Sequence, residues 1–370
     1  MTATSSSPPW LLDGQILVAQ LASGIAEFAE QVDSGAPFRL PYPVNLQAAF
    51  DQLTLLAWHQ GVAPPGSVVE LLQLAEVPFG EWAIALPDAY VDPEESLLVH
   101  GRLGTICEEL GSLRGDVAGE MRENFLIRVV IDKCRAADAP DSYVAFRQLL
   151  IERPAITALD LDTALTRPEL APLSDELRSA YVPAPPEAIS DGVVRTCAGC
   201  GGLRLPLEDD RTWACEDPSC PDPGIPGPDH PAVEGVLWLR HELRTFITAP
   251  GRAELRIAER IRALRVPVVL WPGIDSHDLC VFDERPWVAD VKAWRHPARL
   301  AAHLRRKLFT APPDAERAYV VIAAEQVKAY PGYVGRLRRE CPAVRPGQRI
   351  VAVGEAEFLR AVGRRAGEAR

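Results

Sequence analysis

The sequence has no apolar run of about 20 residues, the length that a helix needs to cross a lipid bilayer. Its first residues, Met-Thr-Ala-Thr-Ser-Ser-Ser-Pro-Pro, also lack the basic and apolar regions of a secretory signal. We therefore expect a cytoplasmic protein that does not associate with membranes. The remaining composition, 47% apolar and 24% charged in 370 residues, is typical of a globular chain with two or three domains.

Positive charge is scarce in the first half of the chain. Residues 1–190 contain 11 basic and 27 acidic residues, whereas residues 236–370 contain 25 basic and 15 acidic residues. The acidic half is a poor candidate for binding nucleic acid, and the basic half is a plausible one. Arginine-rich surfaces also keep proteins in solution, so the charge alone does not decide between these roles.

Strand patterns are nearly absent before about residue 185. Apolar residues at helical spacing indicate helices over residues 14–32, 45–60, 67–76, 117–136 and 142–151. Asp92-Pro-Glu-Glu95 combines a capping residue, a first-turn proline and an N3 glutamate, which predicts a helix from there to about Leu110. We predict a disordered segment over residues 1–12 and an all-α domain without a catalytic motif over residues 13–183. Helical packing, partner docking and nucleic-acid binding all remain open for it.

Four of the eight cysteines form a regularly spaced group. Cys197 and Cys200 make a CxxC pair, and Cys215 and Cys220 follow after fourteen residues. In a protein without a secretory signal this spacing indicates a structural Zn²⁺ site rather than disulfides. A redox CxxC would leave Cys215 and Cys220 unexplained, and His230 is a more distant alternative ligand. We predict a zinc ribbon over residues 190–232, and because four thiolates saturate the ion, no position is open for catalysis.

Residues 236–370 alternate between helical and strand patterns. Helices are predicted over residues 236–248, 250–264, 296–309, 333–340 and 355–365, and strands over residues 266–271, 278–282, 287–294, 318–324 and 349–353. This order indicates a mixed sheet flanked by helices. The chain as a whole is therefore predicted to be multidomain, α + α/β, with its third domain over residues 236–370.

Two carboxylates meet at one end of the predicted hairpin in this third domain. Asp283-Glu-Arg-Pro286 is turn material, and pairing the flanking strands about it places Asp278 roughly opposite Asp290. Lys292 lies two residues further on, so it shares a face with Asp290. Adjacent buried carboxylates repel, and a divalent cation such as Mg²⁺ removes that repulsion.

A third carboxylate lies on the helix that precedes the hairpin. At about 100° per residue the apolar stripe of this helix contains Ile257, Ala258 and Ile261, and Glu254 falls in the middle of it. Glu259 falls on the polar side and is the alternative candidate. A glutamate in the first turn also interacts favourably with the helix dipole, so the position has a purely structural interpretation as well.

The spacing of Asp278, Asp290 and Lys292 resembles the PD-(D/E)xK signature of restriction endonucleases, junction resolvases and RecB-type nucleases. The competing interpretation is an edge hairpin whose Asp and Lys form a surface ion pair. Members of this superfamily also carry a glutamate on the preceding helix, which Glu254 matches, and a QxxxY element, which Gln326-Val-Lys-Ala-Tyr330 resembles.

A longer resemblance covers residues 140 to 330 closely and the first 130 residues loosely. It rests on Phe146-Arg-Gln-Leu-Leu-Ile-Glu-Arg-Pro154, the four cysteines, Leu270-Trp-Pro-Gly-Ile-Asp275 and Trp287-Val-Ala-Asp-Val-Lys292. These segments are similar to the REase-type protein encoded beside prokaryotic PIWI-like proteins in the pPIWI-RE conflict systems. The resemblance implies a restriction-endonuclease-like fold and a DNA nuclease that acts with a PIWI-like protein and a helicase against phage or plasmids.

The resemblance also implies roles for particular residues. Asp278, Asp290 and the Val291 carbonyl would hold one or two Mg²⁺ or Mn²⁺ ions, with Glu254 in support and Lys292 positioning the attacking water. The expected contacts to DNA, or to an RNA–DNA hybrid, come from Gln326, Tyr330, Arg305 and Arg306. A homodimer is one open assembly. The alternative function is a non-catalytic adaptor whose zinc ribbon binds nucleic acid or a partner protein.

Overall fold

A computed structural model of the chain describes residues 14–33, 40–86, 90–114, 117–206, 212–217, 220, 222–240 and 243–368. The chain divides into two compact units, Met1–Asp116 and Val117–Arg370. Residues 1–12, predicted to be disordered, lie outside the described residues. The domain boundaries predicted above stay predictions, but the second unit contains helices, the cysteine group and the sheet together.

The first unit is mainly helical. Its elements are, in chain order, α1 (Gly14–Asp33), α2 (Val44–Gln60), α3 (Val68–Glu76), the short strands β1 (Leu98–Val99) and β2 (Arg102–Leu103), and α4 (Thr105–Arg114). The apolar stripes of α1 and α2 face each other and contribute Leu21, Leu46 and Leu53 to one core. Gly24 permits their close approach, because a Cβ there would lie 2.3 Å from the backbone nitrogen of Leu46.

The helix predicted to begin at Asp92 does not form. Asp92 and Glu95 close a turn, in which the Asp92 N–H donates to Glu95 Oε2 at 3.0 Å and the Glu95 N–H donates to the Asp92 carbonyl at 3.0 Å. The chain then turns into the β1–β2 hairpin, because the carbonyls of Pro93 and Glu95 accept hydrogen bonds from Gly80 and Phe79 instead of from the next helical turn. The helix begins only at Thr105.

The second unit begins with helical segments and a small sheet. They are α5 (Val117–Ala136), α6 (Pro140–Glu152), β3 (Ala155–Thr157), α7 (Ala158–Leu165), α8 (Ser174–Ala180) and β4 (Tyr181–Pro183). A strand, β10 (Val236–Leu239), pairs with β3 on one side and β4 on the other. The helix predicted over residues 236–248 is therefore wrong in its first part. These apolar residues form a central strand instead, because β3 and β4 each pair with them. A π-helical turn, Arg244–Thr248, follows.

The cysteine region consists of short antiparallel strands. They are β5 (Ile189–Ser190), β6 (Val193–Cys197), β7 (Arg204–Pro206), β8 (Trp213–Cys215) and β9 (Pro226–Pro231). Strand β6 lies between β5 and β9, and β7 pairs with β8. Strand β6 also bridges to the start of the next hairpin through Thr196 and Leu203. The three cysteines Cys197, Cys200 and Cys220 are buried in a cluster of their own.

A five-stranded mixed sheet forms the rest of the second unit. Its strands are β11 (Val268–Leu270), β12 (Leu279–Val281), β13 (Trp287–Lys292), β14 (Arg317–Ile322) and β15 (Ile350–Gly354). The spatial order is the chain order. The first three strands are antiparallel, and β13, β14 and β15 run parallel. The mixed sheet expected from the sequence is present in this region.

Helices cover both faces of this sheet, so its strands carry apolar residues on both sides. They are α9 (Ala249–Ala263), α10 (Pro297–Arg306), α11 (Ala324–Ala329), α12 (Tyr333–Glu340) and α13 (Glu355–Glu368). One face of β13 and β14, with Val291 and Val321, packs in the same core as α6, α9 and α13. The opposite face, with Val288 and Val320, packs against α10 and α12. Within the described residues, no helix combines the length and hydropathy that a membrane crossing requires.

Candidate functional site

The four cysteine thiols converge at one point. Cys197 Sγ lies 3.7 Å from Cys220 Sγ, and Cys200 Sγ lies 3.4 Å from Cys215 Sγ. All four sulfur atoms lie within 4.8 Å of one another. A tetrahedral zinc site with bonds of about 2.3 Å needs sulfur atoms roughly 3.8 Å apart, so the cluster can hold one zinc ion. All four candidate ligands named from the sequence are members of it.

The residues that follow Cys215 are joined by ion pairs to α9 and to the π-helical turn before it. Asp217 pairs with Arg252 at 2.7 Å, and Glu216 pairs with Arg244 at 3.1 Å. The Trp238 Nε1–H donates to Glu216 at 2.7 Å, and the Arg244 guanidinium lies 3.6 Å from the Trp238 ring centroid. The segment after Cys215 is thus attached to the beginning of the helix that carries Glu254.

The two hairpin carboxylates lie in the register that the sequence predicts. Strands β12 and β13 pair Leu279 with Ala289, so continuing the ladder by one residue places Asp278 opposite Asp290. The Val291 N–H donates to Asp278 Oδ2 at 2.6 Å, which fixes the orientation of this carboxylate. Asp278 is almost completely buried. The pair therefore occupies the end of the hairpin where β13 continues beyond β12.

Lys292 lies beside Asp290. Its Nζ is 2.8 Å from Asp290 Oδ1, and both side chains are mostly buried. Burial alone would lower the pKa of Lys292, but Asp290 and Asp278 outweigh it, so its pKa is raised above the usual lysine value. The ammonium is consequently a fixed cation and hydrogen-bond donor. Compared with the surface ion pair considered above, this pair is mostly shielded from solvent.

Glu254 is held by two donors rather than by the hairpin. Arg147 Nη2 lies 3.1 Å from Glu254 Oε1 and 3.2 Å from Oε2, and the Trp271 Nε1–H donates to Oε2. Helices α6 and α9 approach closely enough for this contact, because a Cβ at Gly251 would lie 2.4 Å from Ile151 Cδ1. Glu254 is 2% exposed, whereas the alternative candidate Glu259 is exposed on the opposite side of α9.

The turn between β11 and β12 supplies a fourth carboxylate. Trp271, Ile274 and Asp275 all have positive φ, between 47° and 71°. A left-handed conformation costs a residue with a side chain roughly 1–2 kcal/mol, so local contacts have to maintain it. Arg147 Nη1 donates to Asp275 Oδ1, and Arg135 Nη2 donates to the Ile274 carbonyl at 3.3 Å. The strained turn thereby brings Asp275 and the Trp271 ring to the guanidinium.

The buried charged groups of the site shift one another's pKa values. Burial raises the pKa of Asp278 well above the usual carboxyl value, Glu254 and Asp290 raise it further, and Lys292 and Arg147 oppose the shift. Burial likewise raises the pKa of Glu254, against Arg147 and Trp271. Four carboxylates and two cations therefore share one desolvated region. An additional cation would lower the electrostatic cost of keeping these acids ionised.

The donor set fits a hard divalent cation. Among the described residues, neither Asp278 Oδ1 nor Asp290 Oδ2 accepts a hydrogen bond, and Oδ1 carries only the 3.8 Å ion pair to Arg147. Carboxylate oxygens are the ligands that Mg²⁺ and Mn²⁺ prefer. In the part of the chain that the structure describes, only the cysteines bring three or more His, Cys, Asp or Glu ligand atoms within 4.8 Å of one another. Glu254 is directed to Arg147 instead.

Two histidines lie near the site, and the pKa of each is lowered. Burial and then Lys292 lower the pKa of His303 to about 4. Burial also lowers the pKa of His277, whose Nδ1 lies 3.1 Å from Ser276 Oγ. His277 Nε2 is buried and has no hydrogen-bond partner among the described residues. It is an available polar atom directly before Asp278.

The residues predicted to bind nucleic acid have different surroundings. Arg305 and Arg306 are exposed on α10, and Arg305 Nη1 donates to the Glu340 carbonyl at 2.8 Å. Gln326 is buried in α11. The Tyr330 hydroxyl accepts a hydrogen bond from Arg336, and its ring packs edge-on against His296. Of these four residues only the two arginines are exposed, and all four assignments stay predictions.

Sequence reasoning missed Arg147, Trp271 and Asp275. A signal for Arg147 was present, because Tyr143, Phe146 and Leu150 place it on the apolar stripe of α6 at helical spacing. Glu254 is likewise a charged residue on the apolar stripe of α9. Two opposite charges on two apolar stripes predict a buried pair. Asp275 carried no such signal, because its position depends on a left-handed turn that the sequence does not mark.

Two family models match the chain. Residues 251–370 match the model described as "REase associating with pPIWI_RE", and residues 17–157 match the model described as "pPIWI_RE three-gene island domain Y". Neither a curated protein nor a solved structure gives a significant match. The first match covers α9, the five-stranded sheet and every carboxylate of the site, and therefore assigns this region to the REase type of protein.

The second match links the chain to the pPIWI_RE three-gene island. The two matches together support a pPIWI_RE-associated REase-type protein, which confirms the resemblance drawn from the sequence. The description indicates a nuclease and an association with a PIWI-like system.

Proposed function

We propose that this protein is a metal-dependent nuclease of the PD-(D/E)xK superfamily with a restriction-endonuclease-like fold. It hydrolyses phosphodiester bonds of DNA, and the reacting bond lies beside Asp278, Asp290 and Lys292. The single observation that carries the proposal is the arrangement of these three residues. Asp278 lies opposite Asp290 across the hairpin, and the Lys292 ammonium lies 2.8 Å from Asp290, with both side chains of this pair mostly buried.

Each residue has a role that follows from its contacts. Asp278 and Asp290 would hold Mg²⁺ or Mn²⁺ through their unbonded oxygens, and the Val291 carbonyl is the third proposed ligand. When bound, the ion supplies Lewis-acid activation of water and neutralises developing negative charge. The Val291 N–H keeps Asp278 oriented. Lys292, held by Asp290, donates a hydrogen bond that orients the attacking water.

The substrate has to approach the site past basic residues. Arg305 and Arg306 on α10 supply exposed positive charge, which attracts a phosphate backbone. Gln326 and Tyr330 are the other two proposed DNA contacts; Gln326 is buried and Tyr330 is hydrogen-bonded to Arg336 in the unbound protein. The proposed setting is defence against phage or plasmids together with a PIWI-like protein and a helicase, and the family matches support that association.

The test is cleavage of plasmid DNA by zinc-loaded protein with added Mg²⁺ or Mn²⁺, alone and with the partner proteins. Asp290→Ala and Lys292→Ala should each lower the rate by roughly 10²- to 10³-fold or more, because each removes a group that acts on the reacting atoms. Asp283→Ala, an exposed acid in the turn of the same hairpin, and Lys307→Ala, an exposed lysine after α10, are the matched controls.

Unchanged cleavage by Asp290→Ala and Lys292→Ala would refute the assignment. Omitting Mg²⁺ and Mn²⁺ while zinc is retained should also stop the reaction. Parallel assays with duplex DNA, an RNA–DNA hybrid and RNA identify the substrate. Binding of one of these without any cleavage, with and without partners, would instead establish the non-catalytic adaptor.

A further inference from the structure

We infer that Arg147 occupies the place of a second metal ion, so that the site binds one divalent cation and not two. The inference rests on the proposed function, because it concerns the same carboxylates. Arg147 comes from α6, about a hundred residues before the REase-type region, and its guanidinium is buried among the acids of that region.

The first argument is the balance of formal charge. Four carboxylates, Glu254, Asp275, Asp278 and Asp290, contribute four negative charges. Arg147 contacts three of them, and Lys292 contacts the fourth. The two cations leave a net charge of −2 in a region shielded from water. One divalent ion brings this to zero, whereas two would leave an excess of +2 that desolvation makes costly.

The second argument is the number of oxygen atoms that remain open. Both oxygens of Glu254 accept hydrogen bonds from Arg147, and one of them also accepts from Trp271. Asp275 Oδ1 accepts from Arg147. Asp278 Oδ1 and Asp290 Oδ2 lack a donor among the described residues, as does Asp275 Oδ2, whose carboxylate is held by Arg147 through its other oxygen. A second ion would find one open oxygen on Asp275 and would have to displace the guanidinium from Glu254 to gain another carboxylate ligand.

The third argument is that the guanidinium cannot easily move away. It lies 5.0 Å from the Trp271 ring centroid, and its other side is bounded by Tyr143, whose hydroxyl accepts a hydrogen bond from Nη1 at 3.3 Å. The close packing of Gly251 against Ile151 fixes α6 on α9. Arg147 is thus a positioning residue that keeps Glu254 and Asp275 directed away from the bound ion.

The experiment counts bound Mn²⁺ on the full-length protein. Zinc is first measured and confirmed at one ion per chain, and Mn²⁺ is then titrated while free Mn²⁺ is followed by electron paramagnetic resonance. We expect one Mn²⁺ per chain in the unsubstituted protein, and at least a tenfold loss of affinity in Asp278→Asn and in Asp290→Asn. Arg147→Lys keeps the charge and should still bind one ion. Arg147→Met should bind two.

Each result separates the two proposals. Two Mn²⁺ ions in the unsubstituted protein, both lost in Asp290→Asn, would overturn the inference and leave the metal-dependent nuclease standing. If the affinity for Mn²⁺ is unchanged in Asp278→Asn and in Asp290→Asn, the proposed nuclease site itself is refuted. If the unsubstituted protein and a folded Arg147→Met variant each bind one Mn²⁺ ion, Arg147 does not exclude a second ion. If circular dichroism shows Arg147→Met unfolded, the counts for the unsubstituted protein and Arg147→Lys decide.

Discussion

The cysteine cluster and the carboxylate cluster of the second unit are built in opposite ways. The four cysteines come from one short stretch, Cys197 to Cys220, and their spacing alone indicates the four ligands of one ion. The charged cluster draws on a helix, a second helix, a strained turn and a hairpin, from Arg147 to Lys292. A site whose ligands are close in sequence can be predicted from the sequence. A site whose residues come from several packed elements can be predicted only in part.

The two clusters also differ in what completes them. The thiols need an ion to be brought together at all, because four thiolates repel. The carboxylates already have Arg147 and Lys292 as internal counterions. Removal of the ion should therefore damage the first site much more than the second, and the following predictions test that contrast in order of decreasing effect.

Removing zinc should have the largest effect. Metal binding contributes on the order of 10 kcal/mol to the folding of small zinc modules. Chelation of zinc, or Cys200→Ser, should leave residues 190–232 sensitive to proteases, which limited proteolysis with mass spectrometry would locate. Removing Mg²⁺ or Mn²⁺ should leave the protease pattern of residues 249–368 unchanged. Equal protection of the cysteine region with and without zinc would contradict this contrast.

Removing the internal counterion should be the next largest effect. Arg147→Met leaves the buried Glu254 and the partly buried Asp275 without this partner; breaking a buried ion pair typically costs about 3–5 kcal/mol. Urea unfolding of the second unit measures this change. The matched control is Arg178→Met, which removes an arginine from an exposed pair with Asp162 at 2.8 Å.

The control should change the free energy of unfolding by less than about 1 kcal/mol, because exposed ion pairs contribute little. Similar losses in Arg147→Met and Arg178→Met would mean that the buried network does not stabilise the unit.

Trp271→Phe should have a moderate effect. It keeps most of the buried ring but removes the Nε1–H donor to Glu254. Loss of a buried hydrogen bond to a carboxylate costs about 2 kcal/mol. The unfolding free energy should fall by that amount while Mn²⁺ binding at Asp278 and Asp290 is retained. An unchanged unfolding free energy would show that Arg147 alone holds Glu254.

The smallest effect is expected at the link between the two clusters. Asp217→Asn weakens the ion pair with Arg252 on α9, whose side chains are both mostly buried. We expect a loss of about 1 kcal/mol with zinc content unchanged, measured by thermal unfolding and metal analysis. Loss of zinc in this variant would show that the pair maintains the cysteine cluster and not the position of α9.

Much of the candidate site was predictable from periodicity. The turn at Asp283 to Pro286 sets the register of β12 and β13, so the opposition of Asp278 and Asp290 followed from counting residues. The apolar stripe of α9 identified Glu254 as buried. The partner of Glu254 was not predictable in the same way, because it depends on how α6 packs against α9, which no local pattern specifies.

The two fold errors have a related cause. At Asp92 the local capping contacts form as the sequence predicts, but carbonyls needed for the next turn are used by Phe79 and Gly80. At Val236 an apolar segment with no strong helical stripe becomes a strand because β3 and β4 offer it two edges. In both places tertiary hydrogen bonding decided between local alternatives of similar free energy.

The origin of Arg147 in α6 bears on how the protein can be shortened. A fragment that starts at the REase-type region would retain Asp278, Asp290 and Lys292. It would lack Arg147, the ion-pair partner of Glu254 and Asp275. Such a fragment would keep the candidate metal ligands but lose the counterion of these two acids. A fragment that begins at Val117, where the second unit starts, would retain that counterion together with the cysteine cluster.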